Sequence, residues 1–106
     1  MLNTTTTVIT GSGAYIPDFI KTNSDFTRHS FYAEDNTALD IEPHIIVEKF
    51  KKITGIEERR YAASDIESSD MAAIAAQKAI DDAGCDPETI DQIIVAHNFG
   101  NVIKHT

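Results

Sequence analysis

The sequence is short of several residue types, and each shortage excludes a class of protein. It has no tryptophan and a single cysteine, Cys85, among 106 residues. One cysteine cannot form an internal disulfide, and this cysteine content fits a reducing compartment. No apolar run approaches the roughly 18 residues of a membrane-spanning helix, and the N-terminus lacks the basic and apolar regions of a signal peptide. We therefore expect a cytoplasmic protein with no membrane partner.

Positive charge is also scarce. The 9 Lys and Arg residues stand against 17 Asp and Glu residues, which leaves a net charge of -8. Because nucleic-acid binding needs a concentrated basic surface, this balance argues against a nucleic-acid partner. The four histidines are scattered, and neither an HExxH nor a CxxC motif occurs, so no metal site is predicted. The 42% hydrophobic and 25% charged content is that of an ordinary globular domain.

Two stretches have the patterns of helices. Pro43 suits a first helical position, an apolar face recurs at Ile46, Phe50 and Ile53, and Gly55 suits a C-terminal cap.

The second helix is predicted to run from caps at Ser68 and Ser69 to Ala83, before Gly84. Its many alanines leave little side-chain bulk, so a neighbouring element can approach closely.

Three segments have the patterns of strands. Residues 8–16 begin with β-branched residues and predict a first strand, and residues 56–62 predict a strand with one wet face. A short helix through Arg28 and a loop over 29–40 are expected between them. Residues 92–97 form an apolar run without alternation, which is typical of a strand covered on both faces. Helix, short connection and buried strand together predict an α/β fold, with a mixed sheet packed against helices.

Several residues suggest chemistry, and each also has a structural interpretation. Gly11 and Gly13 after a strand resemble part of a dinucleotide fingerprint, but the third glycine is missing, so a glycine turn is favoured.

Cys85, His97 and Asn98 are residue types of a cysteine acyl-transfer site. A strand of about seven residues at roughly 3.3 Å each would separate Cys85 from His97 by around 20 Å, which is too far for activation. Cys85 is therefore interpreted as a loop thiol, and His97 either as a site residue beyond a strand end or as a structural histidine.

A basic cluster stands out in this acidic chain. It could hold a phosphate or meet an acidic protein, or it could be a solvated face with ion pairs to Glu57 and Glu58. Its members are Lys49, Lys51, Lys52, Arg59 and Arg60.

The order of three segments carries a family resemblance. ITGSGAYIPDFIKTNSDF is followed by KITGIEERRYA and then by DMAAIAAQKAIDDAGCDPETIDQIIVAHN. Together they cover nearly the whole chain, and their order resembles the start of β-ketoacyl-acyl carrier protein synthase III and its relatives in the thiolase-like superfamily.

The resemblance implies a fold and a reaction. Residues 1–106 would be a single partial domain, most of the N-terminal half of a thiolase-like fold, in an enzyme that forms homodimers. In such enzymes a cysteine takes an acyl group from acyl-CoA, and the thioester is attacked by a carbanion from malonyl-acyl carrier protein. The expected nucleophile lies beyond Thr106, so the chain is predicted to hold no catalytic residue and to be inactive alone.

The resemblance also implies how the substrate carrier is bound. Where well-known members have a tryptophan for the CoA adenine and an arginine for the phosphates, this chain has Lys49 and Ile53. Recognition of a coenzyme A or phosphopantetheine thioester would then be rebuilt around Lys49 and Lys52, or the donor would be an acyl carrier protein. No covalently bound cofactor is expected.

His97, Asn98 and Phe99 follow the last predicted strand, where family members place residues near the dimer interface and the acyl pocket. They are the candidate substrate or interface neighbours. Two other functions stay open: a small α/β interaction module without catalytic activity, and part of another thiolase-like acyl-CoA enzyme, such as a hydroxymethylglutaryl-CoA synthase relative.

Overall fold

The computed structural model describes residues 4–101 and divides them into two units. The central unit comprises residues 17–63, and the terminal unit comprises residues 4–16 together with residues 64–101. The ends of the predicted single domain, residues 1–3 and 102–106, lie outside the described residues. Within the described ranges, neither helix combines the length and apolar character needed to cross a bilayer.

The central unit contains a two-stranded antiparallel sheet. Strand β1 spans Phe19–Thr22 and strand β2 spans Glu58–Tyr61. Phe19 lies opposite Tyr61, so an aromatic cross-strand pair closes one end of the ribbon. The strand predicted over 56–62 is thus confirmed with shorter bounds.

The first strand predicted over 8–16 is wrong. The structure places no strand there, and the first strand begins at Phe19, after Pro17. Strand formation needs a hydrogen-bonding neighbour as well as β-branched residues. Residues 19–22 have β2 as that neighbour, whereas residues 8–16 form no ladder with any described strand.

Helix α1 spans Pro43–Thr54 in the central unit, as predicted. Its proline is at the start, and Gly55 adopts the left-handed conformation at φ 70°, where its N–H donates to the Lys51 carbonyl at 2.7 Å. The predicted apolar face is only partly correct, because Ile46 and its neighbour Val47 are buried while Ile53 is 73% exposed. A short 3₁₀ helix is the element packed against α1, and it is too short to cover the whole helix.

That 3₁₀ helix spans Asn23–Arg28 and confirms the predicted short helix. The Asp25 carboxylate accepts a hydrogen bond from the Thr22 backbone N–H at 2.8 Å and one from the Thr22 hydroxyl at 3.2 Å. These bonds hold the pKa of Asp25 below its usual value, the backbone bond having the larger effect. Asn23 connects the helix to the segment before β2, because its side-chain amide donates to the Ile56 carbonyl at 3.0 Å.

The loop predicted over 29–40 is confirmed, and it folds back on itself. Tyr32 and Ala38 form an isolated bridge around a turn in which Asn36 has a φ of 65°. Asp35 accepts hydrogen bonds from the hydroxyl and the backbone N–H of Thr37, and these bonds lower the pKa of its carboxyl group.

Helix α2 spans Ser68–Ala83 in the terminal unit and ends where the sequence predicts. Gly84 ends it at φ 63°, donating its N–H to the Ile80 carbonyl at 3.1 Å. The predicted serine caps are wrong, because Glu67 is the capping residue and its N–H donates to Asp70 at 2.9 Å. Ser68 and Ser69 are the first two residues of the helix.

The alanine surface of α2 lies against the backbone of residues 11–13. A Cβ atom added at Gly11 would lie 2.6 Å from the Ala79 carbonyl oxygen, and one added at Gly13 would lie 2.5 Å from the Ala75 carbonyl oxygen. The Ser12 N–H donates to Asp82 at 3.0 Å. The alanines of α2 thus allow a close approach, as the sequence predicts, but the neighbour is an irregular segment and not a helix or a sheet. Neither of these glycines has a positive φ, so the contact, rather than a turn, requires the absence of a side chain.

The buried strand predicted over 92–97 is wrong. Residues 91–97 form no strand, and Ile93 and Ile94 are 81% and 82% exposed. A strand of this composition needs neighbours on both edges and cover on both faces, and residues 4–101 provide neither for it. Before this run, the Asp86 side chain accepts a hydrogen bond from the Glu88 N–H at the start of the 3₁₀ turn Pro87–Thr89.

The chain therefore combines helices with strands, as the α/β prediction requires, but its described sheet is small and purely antiparallel. The larger mixed sheet of a thiolase-like half is not formed by the described residues and stays a prediction.

Candidate functional site

A groove lies beside the start of α2 in the terminal unit. Its volume is about 570 Å³, and it is lined by Phe99, a residue that is 84% exposed. The groove is lined by the first turns of α2 and by the chain before and after His97, namely Ser68, Ser69, Ala72, Val95, Ala96, His97, Phe99, Gly100 and Asn101. Ala72, Val95 and Phe99 provide an apolar lining, and the Ser69 hydroxyl and the His97 imidazole provide polar groups. Such a lining suits an apolar chain with a polar end.

The structure brings together two of the three predicted neighbours. His97 and Phe99 line the groove, whereas Asn98 is exposed and does not. Sequence reasoning missed Asn101, which contacts the helix start directly. Its Oδ1 atom accepts from the Ser69 N–H at 3.0 Å, and its Nδ2 atom donates to the Ser69 Oγ atom at 2.8 Å. The only sequence signal for this contact was the free N–H groups that every helix start offers to a nearby acceptor.

Cys85 lies at the opposite end of α2 from this groove. The helix has 16 residues, and at the usual rise of 1.5 Å per residue its two ends are about 24 Å apart. Cys85 follows the C-terminal end and is exposed. The structure therefore agrees with the separation that the sequence predicts between Cys85 and His97, and it does not bring the two into one site.

The basic cluster of the central unit is divided among several contacts. Lys51 pairs with Glu57 at 3.3 Å, which confirms the ion-pair interpretation for that residue. The Arg59 guanidinium lies 5.7 Å from the centre of the Phe26 ring, a cation–π distance. Lys49 and Lys52 are exposed, and neither forms a salt bridge with a residue of the described chain.

A second groove, in the central unit, was also missed by sequence reasoning. It has a volume of about 220 Å³ and is lined by Asn23, Phe26, Phe31, Val47, Phe50, Arg59 and Tyr61. Phe31 meets Phe50 edge to face at 6.2 Å, and Phe26 meets Tyr61 in the same way at 6.3 Å. These aromatic residues are too widely spaced in sequence to form a recognisable period.

Among residues 4–101, no three His, Cys, Asp or Glu side chains are grouped so that they could bind a metal ion.

Comparison with known proteins identifies relatives but no matching family model. Over 88 residues the chain is 40% identical to "Beta-ketoacyl-[acyl-carrier-protein] synthase III" of Geobacillus kaustophilus. Over 93 residues it is 41% identical to the protein of the same name from Staphylococcus saprophyticus. Over 88 residues it is 42% identical to "Beta-ketoacyl-[acyl-carrier-protein] synthase III 1" of Vibrio parahaemolyticus. The chain is homologous to these synthases.

The alignments with the β-ketoacyl-acyl carrier protein synthases III include most of this chain but only a small fraction of each relative's length. The aligned segments are 83%, 88% and 83% of this chain, and 24%, 26% and 24% of the three relatives. The chain thus spans about a quarter of the length of the curated relatives it matches. The resemblance that the three sequence segments predict to synthase III is confirmed.

Proposed function

We propose that this chain forms the N-terminal part of a condensing enzyme of the β-ketoacyl-acyl carrier protein synthase III type. The observation that carries the proposal is the 40–42% identity to proteins of that name over more than four fifths of the chain. The proposed reaction is acyl transfer to a cysteine, followed by decarboxylating condensation with malonyl-acyl carrier protein, within a thiolase-like fold.

The proposed nucleophile lies outside residues 1–106. Cys85 is a poor candidate, because it is exposed at the far end of α2 and about 24 Å along the helix from the groove. A nucleophilic cysteine is activated by an adjacent base or by a position such as a helix N-terminus, whereas Cys85 follows the C-terminal end of a helix. The chain by itself is therefore proposed to be inactive.

The groove beside α2 is the proposed place where this chain meets the acyl group or the partner subunit of a homodimer. Phe99 carries most of this argument, since a phenylalanine that is 84% exposed leaves a large apolar surface in water. His97 lines the same groove, and Asn98 lies between them in sequence. An acyl chain or a second subunit would cover this surface.

The basic residues of the central unit are proposed to meet the anionic carrier of the substrate. Lys49 and Lys52 are exposed and without a salt-bridge partner in the described chain, so their charges are available to a phosphate or to an acidic carrier protein. The carrier would be coenzyme A or the phosphopantetheine of an acyl carrier protein, in the cytoplasm.

The direct test is an assay of the full reading frame that contains this chain. We expect the purified protein to convert acyl-CoA and malonyl-acyl carrier protein into 3-oxoacyl-acyl carrier protein, detected by mass spectrometry. A Cys85→Ser variant should keep this activity, and residues 1–106 alone should acquire no acyl group. Acylation of Cys85, or a full-length protein that forms no condensation product, would overturn the proposal.

Substitution of Phe99 tests the groove. In the active enzyme, Phe99→Ala should change the relative kcat/KM for short and long acyl thioesters, because it removes the largest apolar side chain of the groove. Phe19→Ala is the matched control, since Phe19 is also exposed, at 59%, but belongs to the central unit. Equal acyl preferences and equal dimer affinity in both variants would remove Phe99 from the site.

A charge reversal tests the carrier contact. Lys49→Glu combined with Lys52→Glu should raise the KM for the thioester donor with little change in kcat, whereas Lys78→Glu on α2 should not. If the KM for the thioester donor is unchanged in the double variant, Lys49 and Lys52 do not contact the donor.

A further inference from the structure

Asn101 is the point at which the chain after α2 is attached back to the start of that helix. Its amide oxygen accepts the Ser69 N–H at 3.0 Å, and its amide nitrogen donates to the Ser69 Oγ atom at 2.8 Å. The two residues are 32 positions apart in sequence, so this is a tertiary contact and not a local helix cap. We call these two hydrogen bonds the Asn101 clasp.

The clasp is the sole hydrogen-bonded connection between residues 91–101 and the rest of the described chain. The backbone hydrogen bonds outside helices and strands end with the one that Ile90 donates to Pro87, and no side-chain hydrogen bond other than the clasp involves residues 91–101. The same segment has no strand pairing, and Phe99 is highly exposed. Its position beside α2 therefore depends strongly on Asn101.

Asn101 and Gly100 line two hollows. One is the groove beside α2, and the other is a hollow of about 500 Å³ that includes Ile66 and Met71. Two hydrogen bonds to one planar amide constrain both the distance and the orientation of the Asn101 side chain relative to Ser69.

We propose that Asn101 is a positioning residue, which holds Phe99 and His97 against the start of α2 through its clasp on Ser69. The proposal rests on the proposed function in so far as Phe99 contacts the acyl group. Asn101 itself contacts no reacting atom in this assignment. It acts by ordering the loop before the substrate arrives, which lowers the entropy lost on binding.

Four variants distinguish the parts of the clasp. Asn101→Ala removes both hydrogen bonds, and Ser69→Ala removes only the one to the hydroxyl. Asn101→Asp restores both, because a carboxylate can accept from the Ser69 N–H and from its hydroxyl, and a negative charge is favourable at a helix N-terminus. Gln77→Ala is the control, since it removes a hydrogen bond to Asp81 from the same helix, made at 2.9 Å.

The first measurement is amide hydrogen exchange of the 106-residue chain by NMR. We expect the Ser69 amide to exchange up to about tenfold faster in Asn101→Ala, as the loss of a typical hydrogen bond allows. The amide signals of His97 and Phe99 should shift as well. Asn101→Asp should restore protection, and Ser69→Ala and Gln77→Ala should leave the Ser69 amide protected. If the Ser69 amide exchanges at the same rate in Asn101→Ala and in Gln77→Ala, the Asn101 clasp does not protect it and the proposal is wrong.

The second measurement is steady-state kinetics of the full-length enzyme. We expect Asn101→Ala to raise the KM for the acyl thioester severalfold with kcat nearly unchanged, and Asn101→Asp to return it to the level of Gln77→Ala. Lost protection of Ser69 with an unchanged KM would overturn the positioning role while the synthase function stands. If the full-length protein has no condensation activity, the proposed function is wrong, and so is the role of Asn101 in substrate binding. The exchange data would still show whether Asn101 forms its two hydrogen bonds to Ser69.

Discussion

The two units differ in whether their apolar residues have partners. In the central unit β1 and β2 pair with each other, and Ile46 and Val47 are buried. Among the described residues of the terminal unit no side chain is buried, and Ile9 and Ile94 are 91% and 82% exposed. Both units contain β-branched and apolar runs. Such a run therefore becomes a strand or a core only where a neighbouring segment is available to pair or pack with it.

The units also differ in charge. Seven of the nine basic residues belong to residues 17–63, together with nine acidic residues. The rest of the chain has two basic and eight acidic residues. An anionic carrier would therefore be repelled less by the central unit, and the exposed Lys49 and Lys52 lie there.

The largest expected effect breaks the core of the central unit. Ile46→Ala should lower the free energy of unfolding by about 2–5 kcal/mol, because it leaves a cavity next to Val47. Ile45→Ala is the matched control on the same helix. Because Ile45 is 49% exposed, this substitution should lower the free energy of unfolding much less. Urea unfolding followed by circular dichroism measures both. Equal losses would mean that the central unit has no core that distinguishes it from the terminal unit.

An intermediate effect is expected at the glycine contact of the terminal unit. Gly13→Ala should cost about 1–3 kcal/mol, because the new methyl group would meet the Ala75 carbonyl oxygen and the Ala79 nitrogen at 2.5 Å. Those are backbone atoms of α2, and they cannot rotate away. Amide exchange of α2 should therefore accelerate.

The control for this contact is Gly100→Ala, whose added methyl group would have its nearest neighbour at 3.8 Å. Full protection of α2 in Gly13→Ala would show that residues 11–13 do not lie against the helix in solution.

The smallest expected effect concerns acid stability of the central unit. The folded pKa of Asp25 is lowered from 3.8 by the hydrogen bonds from Thr22 and, to a smaller extent, by Lys21 and Arg28. Its contribution is therefore present above pH 3.8 and is lost as the pH falls through the lower folded pKa. Asp25→Asn should be less stable than the natural chain at neutral pH, and this difference should shrink in acid.

The control for the acid effect is Asp40→Asn, because the Asp40 side chain makes no hydrogen bond within residues 4–101. A stability difference between Asp25→Asn and the natural chain that stays constant from neutral to acid pH would contradict the assigned cause.

Prediction from sequence succeeded for elements whose conformation is set by residues within or next to the same segment. Helix α2 and its C-terminal end were predicted correctly, because alanines favour the helix and Gly84 ends it through its own left-handed conformation. The short helix through Arg28 was predicted correctly for the same reason, since the hydrogen bond from the Thr22 N–H to Asp25 at its start spans three residues. Even there, the cap of α2 was misplaced by one residue, because Glu67 and Asp70 form the capping interaction in place of a serine.

Prediction failed where the cause lies elsewhere in the chain. The composition of residues 92–97 predicts a buried strand, but burial depends on which segments surround these residues. Asn101 was missed because nothing near it in sequence indicates a contact with Ser69. Of the candidate site, His97 and Phe99 were predicted from the family resemblance and meet in one groove, whereas Asn98 lies outside it.

The two helices, their glycine ends and the relationship to β-ketoacyl-acyl carrier protein synthase III follow from the amino-acid sequence, because they depend on local conformational preferences and on residue identity. The pairing of the strands, the burial of particular isoleucines and the contact by which Asn101 holds the loop of Phe99 are known only from the three-dimensional fold. Those features depend on contacts between residues far apart in the chain. Hydrogen bonding and burial act across space, so their outcome is set by which segments become neighbours.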